Sequence, residues 1–151
     1  MSTDVQVETV VERPRSEVAG YAMDWRNDPL WIGGISDASL VTGGPFGVGS
    51  QVARVATFLG KRIEYVNEVV EYEPDARLVM QSVKGPFPMT VAYEFEDAEG
   101  GARVRIHTRG DASGFYRLAG PVLTRAAKRA IAGDLRRLKG LLEAKGRRGP
   151  V

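Results

Sequence analysis

Residues 116–145 read as one amphipathic helix, and its buried stripe is unusually thin in the middle. Leu118, Val122, Leu123, Ile131, Leu135, Leu138, Leu141 and Leu142 recur at helical spacing, but the same face also carries Ala126, Ala127 and Ala130. A helix that fills a core presents large side chains at such positions. Three methyl groups leave volume between the helix and its partner, so the chain is constrained to folds in which a long terminal helix covers a concave surface over a cavity.

The rest of the chain decides what that partner is. Asp4–Glu12 sets Val5, Val7, Thr9 and Val11 against Gln6, Glu8, Val10 and Glu12, the alternation of a strand. Pro14 suits the first turn of a helix, and Val18, Tyr21, Ala22 and Trp25 follow at helical spacing to about Asp24. A second short helical turn forms around Leu30-Trp31-Ile32. Strand patterns then occupy 38–42, 51–59, 63–72, 77–83, 89–96 and 103–111, separated by turn chemistry such as Gly60-Lys61, Glu73-Pro74-Asp75, Gly85-Pro86 and Glu99-Gly100-Gly101. Seven strands with mostly short connections imply an antiparallel sheet.

This order, with the opening strand running into Arg13-Pro14-Arg15-Ser16-Glu17-Val18, then Asp24-Trp25 and Pro29-Leu30-Trp31, resembles the START-like (SRPBCC) superfamily, the polyketide cyclase/dehydrase and lipid-transport group. Val69-Val70-Glu71-Tyr72-Glu73-Pro74, Tyr93-Glu94-Phe95-Glu96 and the Gly-Gly turn before Arg103-Val104-Arg105 carry the resemblance further, over about residues 4–144. It implies an α+β helix-grip fold: a seven-stranded antiparallel sheet wrapped around the long C-terminal helix, with two short helices after the first strand. The superfamily includes pollen-allergen and hormone-binding proteins, lipid-transfer domains and aromatase/cyclases. The resemblance therefore speaks for fold and leaves function open.

Composition sets the outer limits. A chain of 151 residues with 43% hydrophobic and 26% charged residues suits one domain, 1–151, with an ordered core of about 4–144 and a frayed tail at 146–151. No segment approaches the roughly 20 apolar residues of a membrane-spanning helix, and the N-terminus lacks the order of a secretory signal, which points to a bacterial cytoplasmic protein and no integral membrane contact. There is no cysteine, which excludes disulfides and thiolate chemistry. With a single histidine, no metal site is expected and no cofactor is implied.

Alternation also assigns side chains to faces. Met89, Val91, Tyr93 and Phe95 share one face with Val104, Ile106 and Thr108 on the next strand, while Glu94 and Glu96 oppose Arg103, Arg105, His107 and Arg109 on the other. His107 therefore points outward, and no catalytic residue is assigned. In strand 51–59 the charge of Arg54 favours Ala53, Val55, Thr57 and Leu59 inward. In strand 63–72, Ile63, Tyr65, Asn67 and Val69 are favoured inward because the other face would bury two glutamates. A bulge in either strand would reverse its assignment. Gly43-Gly44-Pro45-Phe46-Gly47-Val48-Gly49 lacks the helix that a phosphate-binding loop requires, so it reads as a hairpin loop whose Phe46 can cover the cavity entrance. Asp24 and Asp28 read as helix punctuation.

The predicted ligand-binding set is Trp25, Trp31, Phe46, Val55, Thr57, Tyr65, Asn67, Met80, Met89, Tyr93, Thr108, Ala126, Ala127 and Ala130. A mostly apolar lining with few polar groups suits a hydrophobic small molecule, lipid-like or aromatic and polyketide-like. The alternative is a cyclase, aromatase or dehydratase using the same cavity, with Tyr65, Asn67, Tyr93 or Arg54 polarising carbonyls. Residues 116–151 carry ten Lys and Arg against Asp134 and Glu143. That surface reads first as a solvated helix face; an acidic partner, a membrane surface or a homodimer partner ranks below it, and nucleic acid is not expected.

Overall fold

In the computed structural model, which describes residues 3–148, β1 (Thr3–Val11) leads through Pro14 into α1 (Arg15–Ala22), a 3-10 turn (Trp25–Asn27) and α2 (Asp28–Trp31). Six strands follow: β2 (Ile35–Leu40), β3 (Gln51–Phe58), β4 (Lys61–Glu73), β5 (Arg77–Lys84), β6 (Met89–Ala98) and β7 (Gly101–Gly110). Pro29 occupies the first turn of α2, where its missing N–H costs nothing. β2 begins three residues earlier than its sequence pattern suggests, at Ile35, whose side chain is buried.

The sheet order is β1-β7-β6-β5-β4-β3-β2, all antiparallel. The first strand closes onto the last in unbroken register from Thr3 opposite Gly110 to Val11 opposite Ala102. A Cβ on Gly101 would collide with the Val11 carbonyl, so only glycine admits that approach. Leu59 and Gly60 form the two-residue turn between β3 and β4, both at positive φ (50° and 79°), the signature of a type I′ hairpin.

The C-terminal segment differs from its sequence reading. It is two helices, α3 (Ser113–Tyr116) and α4 (Gly120–Arg148), separated at Arg117, whose left-handed φ of 56° ends α3. Gly120-Pro121 then starts α4 afresh, proline again serving the first turn. The break corrects the stripe: Leu118 and Val122 are exposed, as is Leu141. Leu123, Leu135, Leu138 and Leu142 reach the core, each side chain contributing about 1.5–3 kcal/mol by burial. Of the tail expected at 146–151, residues 146–148 continue α4 and 149–151 lie outside the described residues.

α4 packs along β1 and touches α2. Its basic side chains help to hold it there. Lys139 Nζ donates to the Val10 carbonyl (2.7 Å) and to Glu143 (2.7 Å), and Arg137 Nη1 donates to the Trp31 carbonyl (2.8 Å). The outer face of the sheet is the expected ladder of opposite charges: Arg103–Glu96 (2.9 Å), Arg105–Glu8 (3.1 Å) and Arg77–Glu94 (2.8 Å). His107 Nε2 lies 2.6 Å from Asp4 Oδ1 on that same outer face. Such solvated pairs are screened by water and add little to stability.

Candidate functional site

Between the concave face of the sheet and α4 lies a cavity of about 250 Å³. One water needs only about 10–15 Å³ of such space, so this is not a packing defect. From α4 it is walled by Leu123, Ala127, Ala130, Ile131 and Asp134, the i, i+4, i+7, i+8, i+11 positions of one helical face. Ala130 is exposed, as are the lining residues Gly34 and Thr57, so the cavity opens to solvent between α4, the loop after α2 and β3.

The strands contribute by parity. β4 presents Ile63, Tyr65 and Asn67, as its sequence pattern favours, and continues with buried Val69. A bulge between Val69 and Glu71 then resets the alternation, so that Tyr72 also packs on the core. Met80 on β5, Met89 and Tyr93 on β6 and Thr108 on β7 complete the far wall. Trp31 closes one end, its ring tilted at 59° against Tyr93 with centroids 5.9 Å apart.

β3 has the opposite face inward from the one its charge suggests. Val52, Arg54 and Ala56 are buried, while Val55 is half-buried outside the cavity wall. The reason is Asp28. Its carboxylate, 1% exposed at the start of α2, accepts a 2.7 Å hydrogen bond from Arg54 Nε, so it is an ion-pair partner and not a helix cap. Burial opposes the guanidinium charge most strongly, but Asp28 together with Tyr93 and Tyr65 offsets it and the Arg54 pKa is raised. Burial raises the Asp28 pKa against the pull of Arg54. Asp24 does cap: its carboxylate accepts the Arg26 N–H at 3.0 Å.

Three further members of the predicted set also lie outside the cavity lining. Trp25 is half-buried on the 3-10 turn, and Ala126 turns away from the Ala127 face. Phe46 packs edge-on against Tyr72 at 5.4 Å, in a loop tied down by the Gly47 N–H donating to Ser50 Oγ (3.0 Å), and so does not cover the entrance. Trp31, Thr57, Tyr65, Asn67, Met80, Met89, Tyr93, Thr108, Ala127 and Ala130 are brought together around the cavity.

The aromatic border comes from residues outside the predicted set. Tyr116 on α3 makes edge-on contacts with Phe58 (5.5 Å) and Phe115 (4.9 Å), and Phe87 lies 5.6 Å from Phe115. Lys61 fastens this cluster, its Nζ 2.8 Å from the Phe115 carbonyl and 4.6 Å from the ring centre. The adjacent aromatics Phe115-Tyr116, just ahead of the Gly120-Pro121 helix start, are the sequence signal for it.

The cavity's titratable groups have defined states. Burial pushes the Tyr93 and Tyr65 phenols up, with Arg54 opposing in both cases. Both are neutral hydroxyls near pH 7, able to donate or accept but not to act as phenolate bases. Asp134 accepts the Gly33 N–H at 2.9 Å and lies 3.4 Å from Arg137 Nη1; burial raises its pKa against those two contacts. Among the described residues no group of His, Asp and Glu is arranged to hold a metal ion, and no helix is long and apolar enough to cross a membrane.

The family model for polyketide cyclase / dehydrase and lipid transport matches residues 2–143. The chain belongs to this family. Solved structures agree with the fold. The Zhui aromatase/cyclase from Streptomyces sp. R1128 superimposes with a TM-score of 0.79 at 15% identity, covering 100% of both chains. TTHA0849 from Thermus thermophilus gives 0.78 at 17% identity, over 94% of this chain and 98% of the other. A START superfamily protein from Mycobacterium smegmatis gives 0.76 at 13% identity, over 95% and 97%. Comparison with curated protein sequences finds no significant match. The architecture is thus the helix-grip fold of the START/SRPBCC superfamily: an α+β half-barrel closed by the long C-terminal helix.

Proposed function

We propose that this polyketide cyclase/dehydrase and lipid-transport family protein binds a hydrophobic small molecule between the sheet and α4. The observation that carries the reading is the cavity itself, about 250 Å³ lined mainly by aromatic and aliphatic side chains and open to solvent on one side, with Ala127 and Ala130 on its helical wall. Apolar walls supply affinity through burial, and a few fixed polar groups orient the guest. Incubation with a mixture of lipids and fused-ring aromatics followed by native mass spectrometry tests it directly. Consistent recovery of the unliganded mass alone would end the proposal.

A second reading, enzymatic cyclisation or dehydration in the same cavity, draws support from one specific arrangement. Arg54 is a buried charged donor in the cavity wall, opposite Tyr65 in the β3–β4 register, with neutral Tyr93 electrostatically coupled to it. Such donors, held in place before the reaction, stabilise negative charge developing on a carbonyl oxygen, and the cavity shape would fold a poly-ketone. Tyr65→Phe and Asn67→Ala, each assayed for conversion of a synthetic poly-β-ketone, decide this: unchanged rates in both remove those residues from the chemistry.

A further inference from the structure

The outer face of the sheet and the outer face of α4 treat their cations differently. On the sheet, Arg77, Arg103 and Arg105 each meet a carboxylate within 3.1 Å. On α4 and the turn before it, Arg117, Arg125, Lys128, Arg129 and Arg136 are exposed, and none of them has an ion pair among the described residues. Residues 112–133 hold four cations and no acid. The acids of α4 are engaged elsewhere: Asp134 accepts the Gly33 N–H, and Glu143 accepts the Glu12 N–H and Lys139 Nζ.

An ordinary solvated helix face sets opposite charges at i, i+4 spacing. Here like charges share the face instead. Val122, Arg125, Arg129 and Arg136 follow i, i+3, i+7, i+14 spacing, which places them along one stripe about 21 Å long. It lies opposite the buried Leu135, Leu138 and Leu142. Arg125 and Arg129 are four residues apart, a like-charge spacing that costs helix stability. The field of such a stripe is complementary to a densely anionic surface.

Apolar neighbours decide which surface that is. Leu118 and Val122 are 38% and 53% exposed at the N-terminal end of the stripe, just past the break at Arg117. Aliphatic side chains gain free energy in the acyl boundary of a bilayer and gain little against a phosphate backbone. α4 contains no aromatic residue that could stack on bases. We propose that the outer face of α4 docks the protein on anionic phospholipid bilayers, with Arg125, Arg129 and Arg136 on the headgroups and Leu118 and Val122 reaching the acyl boundary. The contact is peripheral, because the apolar face of α4 stays packed on the core. Ala130, at the solvent opening of the cavity, follows Arg129 directly, so the docked protein holds that opening at the edge of the contact. The inference does not depend on which molecule the cavity holds.

Co-sedimentation of the full chain with vesicles tests it, with phosphatidylglycerol mixed into phosphatidylcholine against phosphatidylcholine alone. Binding should require the anionic lipid and weaken as salt rises from about 0.05 M to about 0.5 M. Arg125→Gln, Arg129→Gln and Arg136→Gln should each weaken it about fivefold, and the triple variant about a hundredfold. Leu118→Ser with Val122→Ser should weaken it about tenfold and leave the salt dependence in place. Arg103→Gln removes the same charge from the paired face of the sheet and should change binding by less than about twofold. All these side chains are solvated, so each loss is read at an unchanged melting temperature. Binding to phosphatidylcholine alone, or an Arg103→Gln effect as large as that of Arg129→Gln, overturns the inference. So does tighter binding to a DNA duplex or to polyglutamate than to the anionic vesicles. No retention on anionic vesicles at low salt overturns it too and leaves the carrier reading standing, whereas a protein that docks but retains no small molecule ends the carrier reading alone.

Discussion

Arg54 Nε and Asp28 Oδ2 lie 2.7 Å apart with both side chains almost wholly buried, 5% and 1% exposed, and this contact joins β3 to α2 at the wall of the cavity. Taking one partner away leaves the other as a desolvated charge. Asp28→Ala should therefore destabilise the protein by about 3–5 kcal/mol, while the double change Asp28→Leu with Arg54→Met should recover most of that loss. Urea denaturation of the single and double variants measures both. If the single variant lost under about 1 kcal/mol, the charge on Arg54 would be satisfied by something other than Asp28.

Ala127 lines the cavity one helical turn beyond Leu123. Ala127→Leu should fill open space, so the denaturation midpoint should change little while uptake of 2-naphthol falls by about tenfold or more. The opposite pattern, retained uptake with a loss of about 1–3 kcal/mol, is the signature of overpacking and would mean that no usable space adjoins this residue.

Leu59 holds a left-handed φ of 50° at the tip of the β3–β4 hairpin, and its side chain is 46% exposed. A branched apolar residue is strained in that conformation without gaining burial, whereas asparagine adopts it readily. Leu59→Asn should raise stability by about 0.5–1 kcal/mol, read from chemical denaturation. A loss instead would show that the Leu59 side chain makes a contact worth more than the backbone strain.

Burial raises the pKa of Asp134 while Gly33 and Arg137 oppose it. The folded protein then holds this proton more tightly than the unfolded chain. The stability contribution of Asp134 is thus greatest below the ordinary carboxylate value near pH 4 and falls as pH rises through the raised folded value. Asp134→Asn keeps an acceptor for the Gly33 N–H and removes the ionisation. It should be at least as stable as the parent at about pH 7, with the advantage vanishing in acid; denaturation midpoints from about pH 3 to pH 8 follow this. An advantage that grew toward acid would reverse the assigned sign.

Much of the fold is legible in local pattern, for reasons that particular residues make clear. On β6 and β7 one face is Tyr93, Phe95, Val104 and Ile106 and the other is Glu94, Glu96, Arg103 and Arg105; water and core sort such faces without further information. β4 follows the same rule until its bulge near Val70. β3 does not, because the rule that a charge faces water fails when a partner is brought to meet it, and Asp28 stands 26 residues earlier in the chain. Phe46 departs from expectation for a similar reason: a glycine-rich loop near a cavity has many reachable neighbours, and Tyr72 is the one it meets.

The strands, the terminal helix and the small residues Ala127 and Ala130 on its inner face can all be read along the chain, since they follow from periodicity and side-chain volume within single elements. Which polar groups meet, and which are left without a partner, emerges only once those elements are docked. The Arg54–Asp28 pair, the aromatic border at Phe58, Phe87 and Tyr116, and the unpaired atoms of Trp31, Asn67 and Tyr116 all depend on contacts between elements distant in the chain. Hydrogen bonds and ion pairs are short-ranged and directional, so they are settled by how elements meet; the apolar stripe of the terminal segment is visible along the chain, but docking decides which of its members are buried and leaves Leu118, Val122 and Leu141 exposed.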